Sequence, residues 1–246
     1  MPLNNLVFLI LITILITGCQ NITAFKDRVV DGRNTEYEIR MDRSDINSLE
    51  RSLAANIYPM DTRLSRILRS LSVRDSYPPV EWSQRIMTEF PWLNGITVMD
   101  KDGQILSMYP ETGIKQLSYE PIFPQATSLG QGRVMLAIEH SPLGSEILLV
   151  SSVYEDFNLT GMIVVNFDPR TFISHSTDPD EIILISDQEV VWTGKYQDVT
   201  PYLEEIDWDQ MVSRRVSGKV KLGPDSFFWF ARAVGEDWLI YLTQDR

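Results

Sequence analysis

Cysteine occurs once in the 246 residues, at Cys19. A single thiol rules out an intramolecular disulfide and a thiolate metal cluster within one chain. Histidine is almost as scarce, with His140 and His175 the sole imidazoles. His140 precedes Ser141-Pro142, His175 lies between Ser174 and Ser176, and neither Ser141 nor Ser174 stands in a nucleophile elbow. No hydrolase constellation emerges from them, and no enzymatic activity is expected. Lys and Arg number 22 against 34 Asp and Glu, giving a net charge of −12 with no basic run to offset it. Such a surface repels phosphate backbones, so nucleic acid is not an expected partner. Asp100, Asp102 and Gly103 imitate the start of a calcium loop, but the later ligands are missing and a hairpin turn explains them better. Asp178, Asp180 and Glu181 read as a solvated linker. No metal and no cofactor is expected.

What is present begins with the leader. Leu6 to Ile16 is a nearly unbroken apolar run, short of the roughly 20 residues a spanning helix needs. It ends in small residues and reads as a signal-peptide core, although Met1 to Asn5 carries no Lys or Arg. Ile16-Thr17-Gly18-Cys19 resembles the lipobox of bacterial lipoproteins, in which the Cys is acylated and becomes the first residue. That resemblance implies cleavage after residue 18, a lipid on Cys19, and a periplasmic place, anchored to a membrane of the bacterial cell envelope. Gln20, standing where an Asp would favour inner-membrane retention, points to the outer membrane.

Residues 19–42 are polar and without a period, as a tether would be. From a candidate N-cap at Ser44, the residues Ile46, Leu49, Leu53, Ile57, Met60, Leu64, Ile67, Leu68 and Leu71 recur at steps of three and four. This spacing predicts one long amphipathic helix, bent at Pro59. A second helix is expected after Pro79, with Trp82, Ile86, Met87 and Phe90 on one face. Strand patterns follow: a hairpin of 95–100 and 104–109 around Asp102-Gly103, then strands at 133–139, 146–154 and 161–167. The connection 110–132, rich in Pro, Gly, Ser and Tyr, is long enough to suggest a working loop. From Glu181 the same order of hairpin, helical connection and three strands repeats in pattern, though not in residues.

The long helix, Ile96 to Ile105, Leu143 to Tyr154, Gly161 to Phe167 and Gly235 to Ile240 together resemble the Cache sensor modules of bacterial receptors, in the double arrangement. The resemblance implies an α+β fold: a long N-terminal helix, then two PAS-like antiparallel-sheet subdomains at 43–175 and 176–246. It also implies a small-molecule site in the first of them and no reaction. Residues expected to project from that sheet and its long connection are Tyr109, Tyr119, Met135, Ala137, Glu139, Ser152, Tyr154 and Asn166. Amino-acid-sensing members carry an Arg-Trp-Tyr cluster near the second helix and an Asp in the last strand of the first subdomain. Here that cluster is absent near Trp92 and the strand position is Asn166, so an amino-acid ligand is not expected. The chain carries no output domain of its own, so a membrane protein partner is expected to read the occupancy of the site. A structural or assembly lipoprotein that uses the fold as a docking surface is the alternative.

Overall fold

The computed structural model describes residues 48–73, 76–113, 115–186 and 188–245. The leader, Cys19, the tether, Ser44 and Ile46 lie outside the described residues, as does the side chain of Leu49. Among the described residues, no helix is long and apolar enough to cross a membrane.

Helix α1 (Ser48–Ser72) follows the apolar period: Leu53, Ile57, Met60, Leu64, Ile67 and Leu71 are all buried, and Pro59 lies inside it. Each such side chain contributes about 1.5–3 kcal/mol through removal from water, so the stripe and not local propensity fixes this helix. Helix α2 (Val80–Glu89) starts after Pro79 and buries Trp82 and Ile86.

The first sheet consists of β1 (Gly95–Asp100), β2 (Ile105–Tyr109), β3 (Val134–Ser141), β4 (Gly144–Glu155) and β5 (Asn158–Phe167), in the order β2-β1-β5-β4-β3. All its pairs are antiparallel. The β1–β2 turn is pinned by Asp100, whose Oδ1 accepts from the amides of Asp102 (2.9 Å) and Gln104 (2.8 Å). This is turn chemistry, as the sequence suggested. The β4–β5 turn runs through Asp156 and Phe157, both at positive φ. Short helices α3 (Phe123–Ser128) and α4 (Pro169–Ile173) lie within the long connection and after β5.

The second sheet repeats the arrangement with β6 (Ile183–Ser186), β7 (Glu189–Trp192), β8 (Ser217–Leu222), β9 (Asp225–Val234) and β10 (Asp237–Gln244), ordered β7-β6-β10-β9-β8. Its connection holds α5 (Thr200–Glu204) and α6 (Trp208–Arg214). The α+β fold of two five-stranded antiparallel sheets behind a long helix is thus the one expected.

Strand neighbours alternate between faces, and each sheet has a back and a front. The back faces share one core with α1: Ile96, Leu149 and Val165 from the first sheet, Leu184, Phe228 and Leu239 from the second. A buried ion pair stitches the helix to the second sheet, with Arg232 Nε 3.1 Å from Asp61 Oδ1 and Arg232 Nη2 donating to Ser65 Oγ at 2.8 Å. Asn56 holds the segment between the sheets. Its carboxamide oxygen accepts from Ser176 Oγ (2.5 Å), Thr177 Oγ1 (2.7 Å) and the Asp178 amide (2.7 Å).

Where the sheets meet, the β9–β10 turn abuts β3. Gly235 has φ +65°, and a Cβ there would lie 1.9 Å from the carbonyl oxygen of Val134. Next to it, the Leu136 amide on edge strand β3 donates to Asp237 Oδ2 at 2.7 Å. The acidic residues 178–181 are accordingly not all left to solvent: Glu181 bonds Lys195 and Tyr196.

Candidate functional site

The front face of the first sheet divides into a covered half and an open half. In the covered half, Met99, Met135, Ala137, Leu148, Val150, Met162 and Val164 form an apolar patch with Ile122 and Ala126. The latter two come from α3 and the residue that precedes it. In the open half, a cavity of about 910 Å³ lies between residues 110–113 and 115–119 of the connection and the adjoining parts of β1, β2, β4 and β5. That is near the upper end of the range for small-molecule sites.

Its floor is ionic. Glu146, at the start of β4, has a fully buried side chain, and Lys115, from the connection, is 9% exposed. Lys115 Nζ lies 2.8 Å from Glu146 Oε1 and 2.9 Å from Asp168 Oδ2, and donates to the Ser145 carbonyl at 3.2 Å. Asn94 donates to Glu146 Oε1 (2.7 Å) and Asn166 to Oε2 (2.9 Å). Gly95 makes this packing possible, because a Cβ there would lie 2.8 Å from the carboxamide oxygen of Asn166.

Asp168 is also the N-cap of α4, with Pro169 at the first helical position. Its Oδ1 accepts from the Arg170 amide (2.8 Å) and Nε (2.9 Å), and its Oδ2 from Arg170 Nη2 (2.5 Å). Burial pushes the Asp168 carboxyl up, but donation from Arg170 and Lys115 outweighs it and holds the group at about 2. For Lys115, burial favours the neutral amine, yet its bonds to Glu146 and Asp168 win and the pKa moves up. Tyr119 moves up through burial and the nearby Glu146 charge, which keeps its phenol neutral; its hydroxyl meets Thr97 Oγ1 at 2.8 Å.

Of the eight residues proposed from the sequence, Tyr119 and Asn166 line the cavity. Tyr109 pairs across the strands with Ile96, whose side chain belongs to the back core, so it faces the other way. Met135 and Ala137 lie in the covered apolar patch. Ser152 donates to the Ala126 carbonyl at 2.5 Å and Tyr154 to the Leu129 carbonyl at 2.5 Å, so both tie down the connection. Glu139 does likewise, accepting from the Ser118 amide at 3.2 Å. Cys19 lies outside the described residues. Trp92 packs in the back core, 4.8 Å from the ring of Phe167 and 5.5 Å from that of Phe172.

Lys115, Glu146, Asp168, Arg170 and Asn94 are not among the residues expected from the sequence. Two signals were available: Glu146 is an ionisable residue opening a strand that continues Ile-Leu-Leu-Val, and Asp168-Pro169 is a helix-start pair.

The topology, the long helix and a cavity under the first connection now stand together. The fold is Cache-like. Solved structures that share it include the ligand-binding domain of a Pseudomonas fluorescens chemoreceptor in complex with L-leucine (TM-score 0.52, 12% identity, 79% of this chain and 90% of that one). A domain of a sensory box/GGDEF family protein from Vibrio parahaemolyticus matches with TM-score 0.51 and 13% identity, over 80% of this chain and 95% of that one. An extracellular ligand binding receptor from Desulfohalobium retbaense matches with TM-score 0.50 and 15% identity, over 79% of this chain, which spans 38% of that receptor's length. No family model matches the sequence, and no curated protein matches it either. The likeness is therefore one of Cache-like fold.

Both histidines lie away from the cavity floor. His140 Nδ1 meets Ser145 Oγ at 3.1 Å and its Nε2 lies 2.7 Å from Glu189 Oε2. This hydroxyl–imidazole–carboxylate row has both its imidazole and its carboxylate about half exposed. Ser145 also alternates with cavity-lining Glu146 along β4 and so points to the opposite face. Ser141 and Ser174 donate to the carbonyls of Gly144 and Thr171. Burial, with the Arg63 charge, lowers the pKa of His175 and leaves it neutral near pH 7. Among the described residues, no group of three or more His, Cys, Asp and Glu is placed to hold a metal ion.

Proposed function

We propose that this chain is a lipid-anchored, extracytoplasmic Cache-like sensor that binds a small molecule over its first sheet and relays occupancy to a membrane protein. One observation carries the binding half of this reading: a cavity of about 910 Å³ whose floor is a buried, fully hydrogen-bonded ionic cluster. Buried charges cost folding energy, and small-molecule sites set a few fixed polar groups within a largely apolar lining. The Cache-like fold supports the same assignment, since related structures carry ligand-binding domains on receptors. The leader with Ile16-Thr17-Gly18-Cys19 supports the anchor, in the outer membrane by virtue of Gln20.

A thermal-shift panel of organic acids, amines, sugars, amides and nucleobases tests binding on the fragment from residue 38, which encloses both sheets and α1 in one compact unit. A ligand of the native state raises the melting temperature by mass action. Silence across the panel favours the docking-surface alternative, which the side-chain-filled half under α3 already resembles. The anchor is tested on protein purified from membranes, where mass spectrometry should find an acylated Cys19 as the first residue; a retained Met1 removes that part of the reading.

No turnover is proposed. His140→Ala and His175→Ala should leave the response to any ligand from the panel unaltered, and a measured reaction lost in either variant would return the enzyme reading.

A further inference from the structure

Lys115 is a cation the protein supplies to its own cavity. An ammonium has three donors and no acceptor, and those of Lys115 go to Glu146 Oε1, Asp168 Oδ2 and the Ser145 carbonyl. The carboxylates are equally committed. Both oxygens of Glu146 and both of Asp168 receive donors from Lys115, Arg170, Asn94 or Asn166. A ligand ammonium would find no carboxylate oxygen on the floor without a donor until it had displaced Lys115. The displaced lysine would then leave a buried site for one with poorer partners, and its tether holds it at a high local concentration against any free amine.

Different chemistry remains for a ligand. The carboxamide oxygen of Asn166 is not among the atoms that hold Glu146, since the amide nitrogen does that work. The hydroxyls of Thr97 and Tyr119 can each donate or accept a hydrogen bond. At the mouth, Arg170 is 60% exposed, and among the described residues its Nη1 has no hydrogen-bond partner. These groups suit neutral polar molecules, or molecules with an acidic end at the mouth.

We infer that Lys115 sets the specificity of the cavity: it occupies the acidic floor as a tethered ammonium, so the site rejects amines and takes ligands without a positive charge. This rests on the cavity being the binding site proposed above. It also alters the ground for expecting no amino-acid ligand. The missing last-strand Asp is replaced by two nearby carboxylates, Glu146 and Asp168, and these are already filled from within.

The test uses n-butylammonium chloride, which carries the ammonium removed in Lys115→Ala on a chain one methylene longer, against NaCl at equal ionic strength. Lys115→Ala should gain about 3 °C or more in melting temperature with butylammonium over NaCl, while wild type should show no difference. Lys115→Met, which refills the space without a charge, should also show none. If Lys115→Ala does not fold in plain buffer, recovery of its native circular dichroism with butylammonium but not with NaCl supports the inference, and failure to recover overturns it. A wild-type response to butylammonium, or a folded Lys115→Ala without one, overturns it as well. Amine hits for wild type in the broader panel would defeat this inference and leave the sensor reading standing. A silent panel with a butylammonium-responsive Lys115→Ala would keep Lys115 as the occupant of the acidic floor and defeat the sensor reading, and with it the role in specificity that rests on that reading.

Discussion

The two sheets share strand order and antiparallel pairing, and each carries a connection of similar length between its second and third strands, residues 110–133 and 193–216. Their front faces are used in opposite ways. Over the second sheet the connection delivers Tyr196, Leu203, Trp208 and Val212 onto Phe227, Trp229 and Ala231. The Trp208 and Trp229 rings meet edge to face at 6.1 Å, leaving a cleft of about 340 Å³ at one side. Over the first sheet, the facing residues are mostly Met, Ala and Val, and the first part of the connection brings Lys115 where the other brings aromatics. One topology therefore yields either a packed core or a cavity. Side-chain volume in the connection, and the burial of an ionic floor, decide which.

The largest expected effect comes from making the second sheet resemble the first. Trp229→Ala, at a fully buried position, should lower stability by about 3–5 kcal/mol in urea unfolding, whereas a filled connection that contributed nothing would lose much less. Next, Glu146→Gln removes the carboxylate that holds Lys115 on the first sheet. A loss of about 3 kcal/mol is expected, and a neutral result would mean the cluster is a surface ion pair in effect.

A smaller effect concerns pH. The folded carboxyl of Asp168 lies at about 2 against a usual value of 3.8, so its contribution is complete above about pH 4 and is lost as pH falls through 2. With solvent screening at the cavity mouth this amounts to about 1 kcal/mol. Asp168→Asn should flatten that acid limb of the stability curve, and an unchanged limb would assign it to other carboxylates. The smallest effect is expected at Tyr241, fully buried on the back of the second sheet, whose hydroxyl has no hydrogen-bond partner among the described residues. Burial and the nearby Asp61 push its pKa far up, so no charge is at stake near neutral pH. Tyr241→Phe should raise stability by up to about 1 kcal/mol in urea unfolding, because no bond is lost and an unpaired buried hydroxyl is removed; a loss would mean that the hydroxyl has a partner.

The elements with a strong period were legible. The stripe from Leu53 to Leu71 announces α1, and Asp102-Gly103 announces the first hairpin, because both depend on residues close in sequence. The repeated grammar after residue 181 was legible for the same reason. The cavity was harder to read. Alternation tells which residues share a face, but not which part of that face α3 will cover; hence Met135, Ala137 and Ser152 were on the proper side and under the wrong roof. Tyr109 was misplaced by a single step of alternation at the strand end. The ionic floor joins Lys115 to Asp168, 53 residues apart, and Glu146 lies between them in sequence. No local pattern encodes that meeting. Asn56, which binds the segment between the sheets from 120 residues away, is invisible for the same reason.

The Asp237 carboxylate at the Leu136 amide has a further consequence. Strand β3 is the rim of the first sheet, and an uncovered rim invites strand addition from other molecules and growth into fibrils. Asp237 consumes one outward donor of that rim, and the Gly235 turn sits against Val134 too closely for anything to slip between. The second sheet thus acts as a stopper at the start of that border, and a chain cut between the sheets would lay it bare.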